Sequence, residues 1–406
     1  MRMHSAFVSL VVFALMGSAA QAQITQPTRR PMAVPPGYFD SLNAAPKHLA
    51  SSRLSSATSA AVIAQNARVV SIPSFTGSFS YQGTSYAYTM AGAPPSSGRS
   101  TTVPTQYIPL SFYFDEFEDA NGNNITIDAT AITAQIKRSP LFENADYATG
   151  TTQFVDAQMR AEFFSQMRRA GDFHVLLGRP QTLIPVTIEV PVGSSQVYQL
   201  EDGTYFAAID YNFMLSQLNT LLQTEPVTVD SIPIFLTRNA VYGSFSEGQL
   251  VDCCIGGLHT AFEVGQQGNR IFVQTAAFAT SLDPDVADGI FGDAAVFADV
   301  NALSHELAET LNDPFVNNLT PSYQLPGTAP GTCQSVMEVG DVVENLAPDY
   351  TEVTLHGVTY HPQTLGLLQW FEGVSPSNAF HGDYSFPDAT KLTGPFTPCS
   401  APPIVY

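Results

Sequence analysis

The residues best suited to chemistry are His305, Glu306 and Glu309, which stand close together in one stretch of the chain. Apolar residues recur there at helical spacing, so the stretch is predicted to be a single helix that ends before Pro314. Because residues four apart share a helix face, His305 and Glu309 can bind one metal ion. Glu306 projects about 100° away, where it can act as a general base on a water beside the metal.

This arrangement is a variant of the HExxH helix of zinc peptidases, with the second histidine replaced by Glu309. Carboxylate oxygens bind zinc, but an oxygen-rich ligand set lowers the Lewis acidity of the metal and loosens selectivity toward harder cations. Zinc is therefore the predicted cofactor, and another divalent cation is the alternative. The competing interpretation is an ordinary surface helix whose polar residues face water, because the motif is short.

Further candidate ligands lie outside this helix. Glu338 and Asp341 follow Cys333 closely, and either can supply a third ligand to the metal. His259 follows two glycines that permit close backbone approach, so its ring can face the site, but a hydrogen-bonded structural histidine packed in the core is the favoured interpretation. Asp313, at the end of the predicted helix, is the other accessory candidate.

The chain has an even number of cysteines, namely Cys253, Cys254, Cys333 and Cys399. In an exported protein this favours disulfides over a thiolate metal site, for which no CxxC spacing is present. Adjacent cysteines rarely pair because a disulfide between chain neighbours has strained geometry. Cys253 and Cys254 are therefore expected to bond separately to the other two cysteines. The sequence leaves open which pairs with which.

The first 22 residues have the pattern of a signal peptide, with an apolar run over 6–16 and small residues at Ala20 and Ala22. The protein is therefore expected to be secreted, either extracellular or periplasmic. No later segment is apolar over the length of a membrane span. A net charge of -20, with only 16 Lys and Arg, excludes nucleic acid as a favoured partner.

Composition divides the mature chain into three parts. Residues 23–68 are rich in Pro, Ser, Ala and Gln and are expected to be a flexible linker, and 69–104 a small β-rich N-terminal segment. Residues 105–406 are expected to form an α+β metal-binding domain. Amphipathic helices are predicted over Phe154–Arg168 and Ala207–Leu222, interleaved with β-rich runs.

Two local signals fix turns and helix ends. Asn121-Gly122 predicts a hairpin turn before Ile125, preferred over a calcium loop because the glycine is not at the EF-hand position. Asp293 or Asp299 is expected to cap the start of the helix that carries His305.

Several ordered motifs resemble the SHELAE, NPLVN and EIGD signatures and the cysteine-glycine-histidine segment of the plant EXORDIUM or phosphate-induced family. The matching segments are Ser304–Glu309, Asp313–Asn317, Glu338–Asp341 and Cys254–Thr260. The same run, with Tyr360–Gln363 and Gln369–Phe371, also resembles large secreted bacterial proteins. The resemblance covers 253–384 and implies an extracellular protein, in a family whose plant members are growth-associated and have no settled catalytic activity.

The order of elements is compatible with a zincin-like mixed sheet with an active-site helix. That comparison makes His305 and Glu309 metal ligands and Glu306 the general base. The leading hypothesis is a secreted zinc-dependent hydrolase of metallopeptidase type, acting on extracellular peptides or proteins. The alternatives are a non-catalytic extracellular or cell-surface protein with a structural metal site or none, and a carbohydrate-binding protein, which only the aromatic content supports. Substrate and oligomeric state are left open.

Overall fold

The computed structural model describes residues 29–33, 47–49, 68–170 and 172–403. The predicted signal peptide, residues 1–22, lies outside the described residues, as does most of the predicted linker over 23–68. Two short strands within 23–68 are described, and both pair with the central sheet.

The strands are numbered β1 to β25 in chain order over the described residues. They are Met32–Ala33, Lys47–Leu49, Arg68–Val70, Ser74–Tyr81, Thr84–Ala91, Ser100–Val103, Thr105–Glu118, Asn124–Asp128, Ala145–Tyr147, Gly150–Thr152, His174–Leu177, Gln181–Thr182, Val186–Val190, Ser195–Gln199, Tyr205–Asp210, Ile232–Arg238, Ala240–Ser246, Gln249–Gln267, Arg270–Ser281, Leu319–Gln324, Cys333–Val336, Val353–Leu355, Val358–Tyr360, Leu365–Gly366 and Ser385–Phe386.

The α-helices of the same residues are numbered α1 to α8. They are Thr133–Ile136, Phe154–Glu162, Phe164–Ala170, Tyr211–Thr224, Pro284–Phe291, Asn301–Asn312, Asp341–Glu344 and Leu368–Glu372. Short 3-10 turns cover Pro95–Ser97, Thr130–Ile132 and Phe380–Gly382. Within the described part of the chain, no helix has both the length and the apolar character needed to cross a bilayer.

The fold is α+β, built on a 13-stranded mixed sheet with the central order β1-β14-β15-β17-β18-β19-β16-β7-β12. Strands β19, β16 and β7 run parallel to one another, whereas β18 runs antiparallel to both of its neighbours in this order. The β-rich N-terminal region contains an antiparallel hairpin of β4 and β5, while β3 pairs with β19 and β6 with β11. The turn predicted at Asn121-Gly122 is confirmed, because β7 and β8 pair antiparallel across it.

The two faces of the sheet bury different helices. On one face, apolar residues of α6 and α2 pack with the β4–β5 hairpin and the C-terminal region in the larger core. On the other, apolar residues of α4 pack on the inner strands in a second core. Helix α6 lies across β18 and β19, so the helix predicted to carry the chemistry is placed directly against the centre of the sheet.

Helix α6 confirms the expected single helix and its end before Pro314, but its start differs from the expectation. Val300 is the N-cap, and no side chain caps the helix. The Asp299 carboxylate accepts hydrogen bonds from the backbone N–H and the Nδ1 of His361, at 3.0 and 2.7 Å. Asp293 instead accepts from the backbone of Ala295 at 2.9 Å. Both candidate caps are therefore engaged elsewhere.

The two other predicted helices are present with different bounds. The first is interrupted at Phe163, which separates α2 from α3. The second begins only at Tyr211, because Asp210 caps it by accepting from the backbone N–H of Phe213 at 2.8 Å. The preceding apolar residues form β15, buried in the sheet between β14 and β17.

The disulfide expectation is wrong in its pairing. Cys253 and Cys254 bond to each other within β18, and Cys333 bonds to Cys399 across a Cα–Cα distance of 5.8 Å. The C-terminal segment lies beside β20, where the backbone N–H of Cys399 donates to Ser322 at 3.0 Å. Because this alignment brings Cys399 to Cys333, the adjacent cysteines have each other as partners.

We predict that Cys399→Ser lowers the free energy of unfolding by about 4 kcal/mol, since it removes a cross-link with a sequence separation of 66 residues. Guanidinium denaturation in non-reducing buffer measures the change, and Ser400→Ala, one residue beyond the bridge, is the control. Peptide mapping without reduction is expected to find Cys333 joined to Cys399. A fragment joining Cys399 to Cys253 or Cys254 would contradict the pairing.

Candidate metal centre

Three parts of the chain bring two histidines and four carboxylates together in the interior. Strand β18, helix α6 and the segment that runs from the end of β21 into α7 supply them. Each of the six residues is at most 2% exposed: His259, His305, Glu306, Glu309, Glu338 and Asp341. All twelve residues of α6 are buried, so its polar face does not contact bulk water.

His305 directs Nε2 at two carboxylates. This atom lies 3.1 Å from Oε2 of Glu309 and 3.4 Å from Oδ1 of Asp341. On the other side of the ring, Nδ1 lies 2.9 Å from Oε1 of Gln363, whose Nε2 donates to the carbonyl of Gly340 at 2.9 Å. Because the amide nitrogen of Gln363 makes that second bond, its Oε1 is the acceptor that faces Nδ1. Nδ1 therefore carries the proton, and neutral His305 keeps a lone pair on Nε2.

Glu309 is held by one oxygen and presents the other. Its Oε1 accepts from the backbone N–H groups of Gly340 and Asp341, at 3.0 and 3.3 Å. Its Oε2 lies 3.1 Å from Nε2 of His305 and 3.1 Å from Nδ1 of His259. The helix therefore aims a single carboxylate oxygen between two imidazoles.

His259 belongs to this cluster, although the sequence favoured a structural histidine packed in the core. Besides the contact with Glu309, its Nδ1 lies 3.8 Å from Oε2 of Glu306, and its Nε2 lies 3.6 Å from Oε2 of Glu338. The ring is 1% exposed. Both of its nitrogens thus face carboxylates contributed by other elements.

Asp341 repeats the arrangement seen at Glu309. Its Oδ2 accepts from Nε2 of Gln334 at 3.1 Å, and Gln334 in turn accepts from the hydroxyl of Tyr323 at 2.8 Å. Its Oδ1 is the atom that faces His305. Asp313 is placed differently, because its two oxygens accept from the backbone N–H groups of Asn317 and Asn318, both at 3.0 Å, and hold the turn after α6.

The donor atoms fit a divalent cation. Among the described residues, Oε2 of Glu309, Oδ1 of Asp341 and both ring nitrogens of His259 are buried without a partner in hydrogen-bond geometry. Buried polar atoms left in this way are costly, and a cation removes the cost. The donors form two groups with atoms within 4.8 Å of one another, one containing His305, Glu309 and Asp341 and the other His259, Glu306 and Glu309.

Burial and mutual charge shift the pKa values of these groups in opposite directions. Burial raises the pKa of Glu306 to about 7 and that of Glu338 well above its usual range, although nearby imidazoles oppose the shift. Burial also acts to raise the pKa of Glu309, but His305 and His259 outweigh it and lower that pKa. For both histidines, burial lowers the pKa, but the surrounding carboxylates raise it by a larger amount. The pKa of each therefore lies well above its ordinary value. Protons and a cation therefore compete for the same atoms.

Two glycines let the segments approach this closely. A Cβ on Gly257 of β18 would overlap the side chain of Glu306, and a Cβ on Gly340 would overlap the imidazole of His305. Neither position has a positive φ, so the requirement is for space and not for an unusual backbone conformation. The sequence identified the glycines before His259 as sites of close approach, but gave no sign that Gly340 contacts His305.

Gln363 is the residue of this candidate site that the sequence analysis missed. It lies 58 positions after His305, too far for spacing to suggest a contact. The one available signal was its place in the segment Tyr360–Gln363, which resembles a motif of secreted bacterial proteins.

Comparison of the chain with protein-family models, with curated proteins and with solved structures finds no match in any of the three. The resemblance to the EXORDIUM family therefore stays a prediction that rests on the quoted motifs.

We predict that Gly340→Ala weakens divalent-metal binding by about 10- to 100-fold or more, because the new methyl group displaces the His305 ring. Isothermal titration of the metal-free protein with zinc measures the change. Gly265→Ala is the matched control, since a Cβ there meets no atom within 4 Å. Equal affinity in Gly340→Ala and the unaltered protein would show that His305 does not hold the metal.

Proposed function

We propose that the protein is a secreted, metal-dependent hydrolase of peptidase type, with zinc as the expected metal. The proposal includes a zincin-like arrangement of sheet and helix and membership of an EXORDIUM-like family, which the sequence motifs support. Export to an oxidising compartment is supported by the two disulfides and by the signal-peptide pattern of residues 1–22.

One observation carries the proposal. His305, Glu309 and Asp341 each present one donor atom to a common point, while a second polar atom of each side chain is held by a hydrogen bond. Side chains fixed in this way are pre-organised to bind a metal, because little conformational entropy is lost when it arrives. The ordinary surface helix considered from the sequence is not supported, since α6 is buried throughout.

Each residue then has a separate task. His305, Glu309 and Asp341 hold the metal, which when bound polarises a substrate carbonyl and acidifies a neighbouring water. Glu306 follows His305 on α6 and lies in the group shared with Glu309, where it can accept a proton from that water and pass it to the leaving amine. Gln363 keeps Nδ1 of His305 protonated and thereby keeps Nε2 available to the metal.

An extended peptide is the substrate class that the neighbouring strand favours. Beyond its pairing with β17, strand β18 pairs in parallel with Lys47–Leu49, with Ile255 opposite Lys47 and Leu258 opposite Leu49. This part of β18 immediately precedes His259. A strand segment that accepts another piece of chain beside the centre can accept an extended peptide in the same manner.

A structural metal site is the second candidate function. The observation in its favour is burial, because the six donor residues are at most 2% exposed and structural sites are closed whereas catalytic sites keep a position open. In that case the metal joins β18, α6 and α7, and the protein has no hydrolytic activity.

We predict that Glu306→Gln keeps the metal at His305, Glu309 and Asp341 and lowers peptide hydrolysis by about 10²- to 10⁴-fold, the usual contribution of a general base. Metal content by elemental analysis and cleavage of a broad peptide mixture are measured on the same preparation. Glu309→Gln is expected to lose both metal and activity, because it alters the oxygen that both histidines approach.

The matched control is Glu143→Gln, a partly exposed carboxylate paired with His356 away from the centre, which is expected to leave both measurements unchanged. Unaltered hydrolysis by Glu306→Gln would rule out the general-base role. If chelation lowers the melting temperature but no peptide is cleaved by the metal-loaded protein, the structural function replaces the catalytic one.

A further inference from the structure

We propose that the centre holds two divalent cations, the second bound by His259, Glu306 and Glu309 and bridged through Glu309 to the first. The inference rests on the proposed function for the first cation, at His305, Glu309 and Asp341. It adds a metal position that the HExxE helix by itself does not predict. Glu306 is a ligand of the second cation when that cation is bound, so its general-base role applies to the centre that holds the first cation alone.

His259 is the residue that points to the second cation. Its ring is 1% exposed, and within the described part of the chain neither nitrogen has a partner in hydrogen-bond geometry. Nδ1 nevertheless lies 3.1 Å from Glu309 and 3.8 Å from Glu306. An imidazole nitrogen that faces two carboxylate oxygens at these distances can bind a cation together with them.

Glu309 is placed where its carboxylate can bridge two cations. Backbone N–H groups of Gly340 and Asp341 occupy Oε1, which leaves Oε2 as the donor oxygen. That oxygen lies 3.1 Å from one nitrogen of each histidine, and Glu309 belongs to both donor groups. A cation bound by either histidine therefore has the same carboxylate oxygen within reach, and one cation on each side shares it.

Glu338 has the position of a supporting residue for the second site. Its Oε2 lies 3.6 Å from Nε2 of His259, on the opposite side of the ring from Glu309. A carboxylate there orients the imidazole and favours a proton on Nε2, which leaves Nδ1 available to the metal. Gln363 has the equivalent position for His305, so each histidine has one nitrogen facing a supporting side chain and one facing Glu309.

The charges of the cluster also favour two cations. Glu306, Glu309, Glu338 and Asp341 carry four formal negative charges when ionised, and all four are buried. One divalent cation offsets half of that charge and two offset all of it, which reduces the cost of burying the carboxylates. With one nitrogen and two carboxylates at each position, the sites suit zinc or manganese better than the all-oxygen coordination preferred by calcium.

The test is a metal count on the purified full chain, stripped by chelation and then equilibrated with Mn²⁺ or with Zn²⁺. The unaltered protein is expected to bind two ions per chain. His259→Gln is expected to retain one ion, as is Asp341→Asn, because each removes a ligand of a different site. His356→Gln, a partly exposed histidine outside the cluster, is the matched control and is expected to retain two.

Electron paramagnetic resonance of the Mn²⁺-loaded unaltered protein gives an independent measurement that needs no variant to fold. Two ions that share the Glu309 carboxylate are expected to give an exchange-coupled spectrum, and His259→Gln the spectrum of an isolated ion. Circular dichroism checks that each variant is folded, and His259→Asn replaces His259→Gln if the latter is not.

The outcomes separate this inference from the proposed function. One ion in the unaltered protein, retained in His259→Gln and lost in Asp341→Asn, overturns the second site and leaves the first intact. One ion lost in His259→Gln but retained in Asp341→Asn overturns both assignments. An uncoupled spectrum at full occupancy overturns the bridge, and no bound ion at all overturns both proposals.

Discussion

The architecture depends on the cost of burying carboxylates on the polar face of a helix. Glu309 is fully buried in α6, and the backbone N–H groups of Gly340 and Asp341, at the start of α7, satisfy only one of its oxygens. The other oxygen faces the imidazoles of His259 and His305. In a low-dielectric interior such a group is stable only if positive charge is nearby, from protonated histidine or from a cation. The packing of α6 against β18 and the start of α7 places the histidines and the other carboxylates where they can supply or bind that positive charge.

Long-range connections hold the donors in place. Strand β18 carries His259 in the middle of the sheet, where β19 fixes its register opposite Ala277. The segment that carries Glu338 and Asp341 follows β21, which the disulfide between Cys333 and Cys399 attaches to the C-terminal end of the chain. Donors on a strand, a helix and a cross-linked loop cannot easily move apart, and this rigidity is what a metal centre needs from its scaffold.

The sequence predicted the features that depend on residues close together in the chain and missed the contacts between residues far apart in it. Apolar periodicity and Pro314 were enough for α6, and four-residue spacing was enough to place His305 and Glu309 together, because both depend only on helix geometry. It gave Asp341 only as one of two alternatives. The role of Gln363 depends on a contact across 58 residues, and the pairing of Cys333 with Cys399 depends on how the C-terminal segment lies against β20. No spacing rule encodes either.

Burial of the donor residues does not exclude catalysis, because the part of β18 just before His259 is paired with a strand of only three residues. Lys47–Leu49 pairs with β18 just before His259 and also lies against α7, which begins with Asp341. A peptide that bound at this part of β18 would take the backbone hydrogen bonds that β2 now makes. The free energy of peptide binding would therefore have to exceed the free energy with which β2, a strand of three residues, pairs with β18. Few hydrogen bonds are lost in that exchange. Exchange of a three-residue strand for a peptide is therefore compatible with catalysis beside this centre.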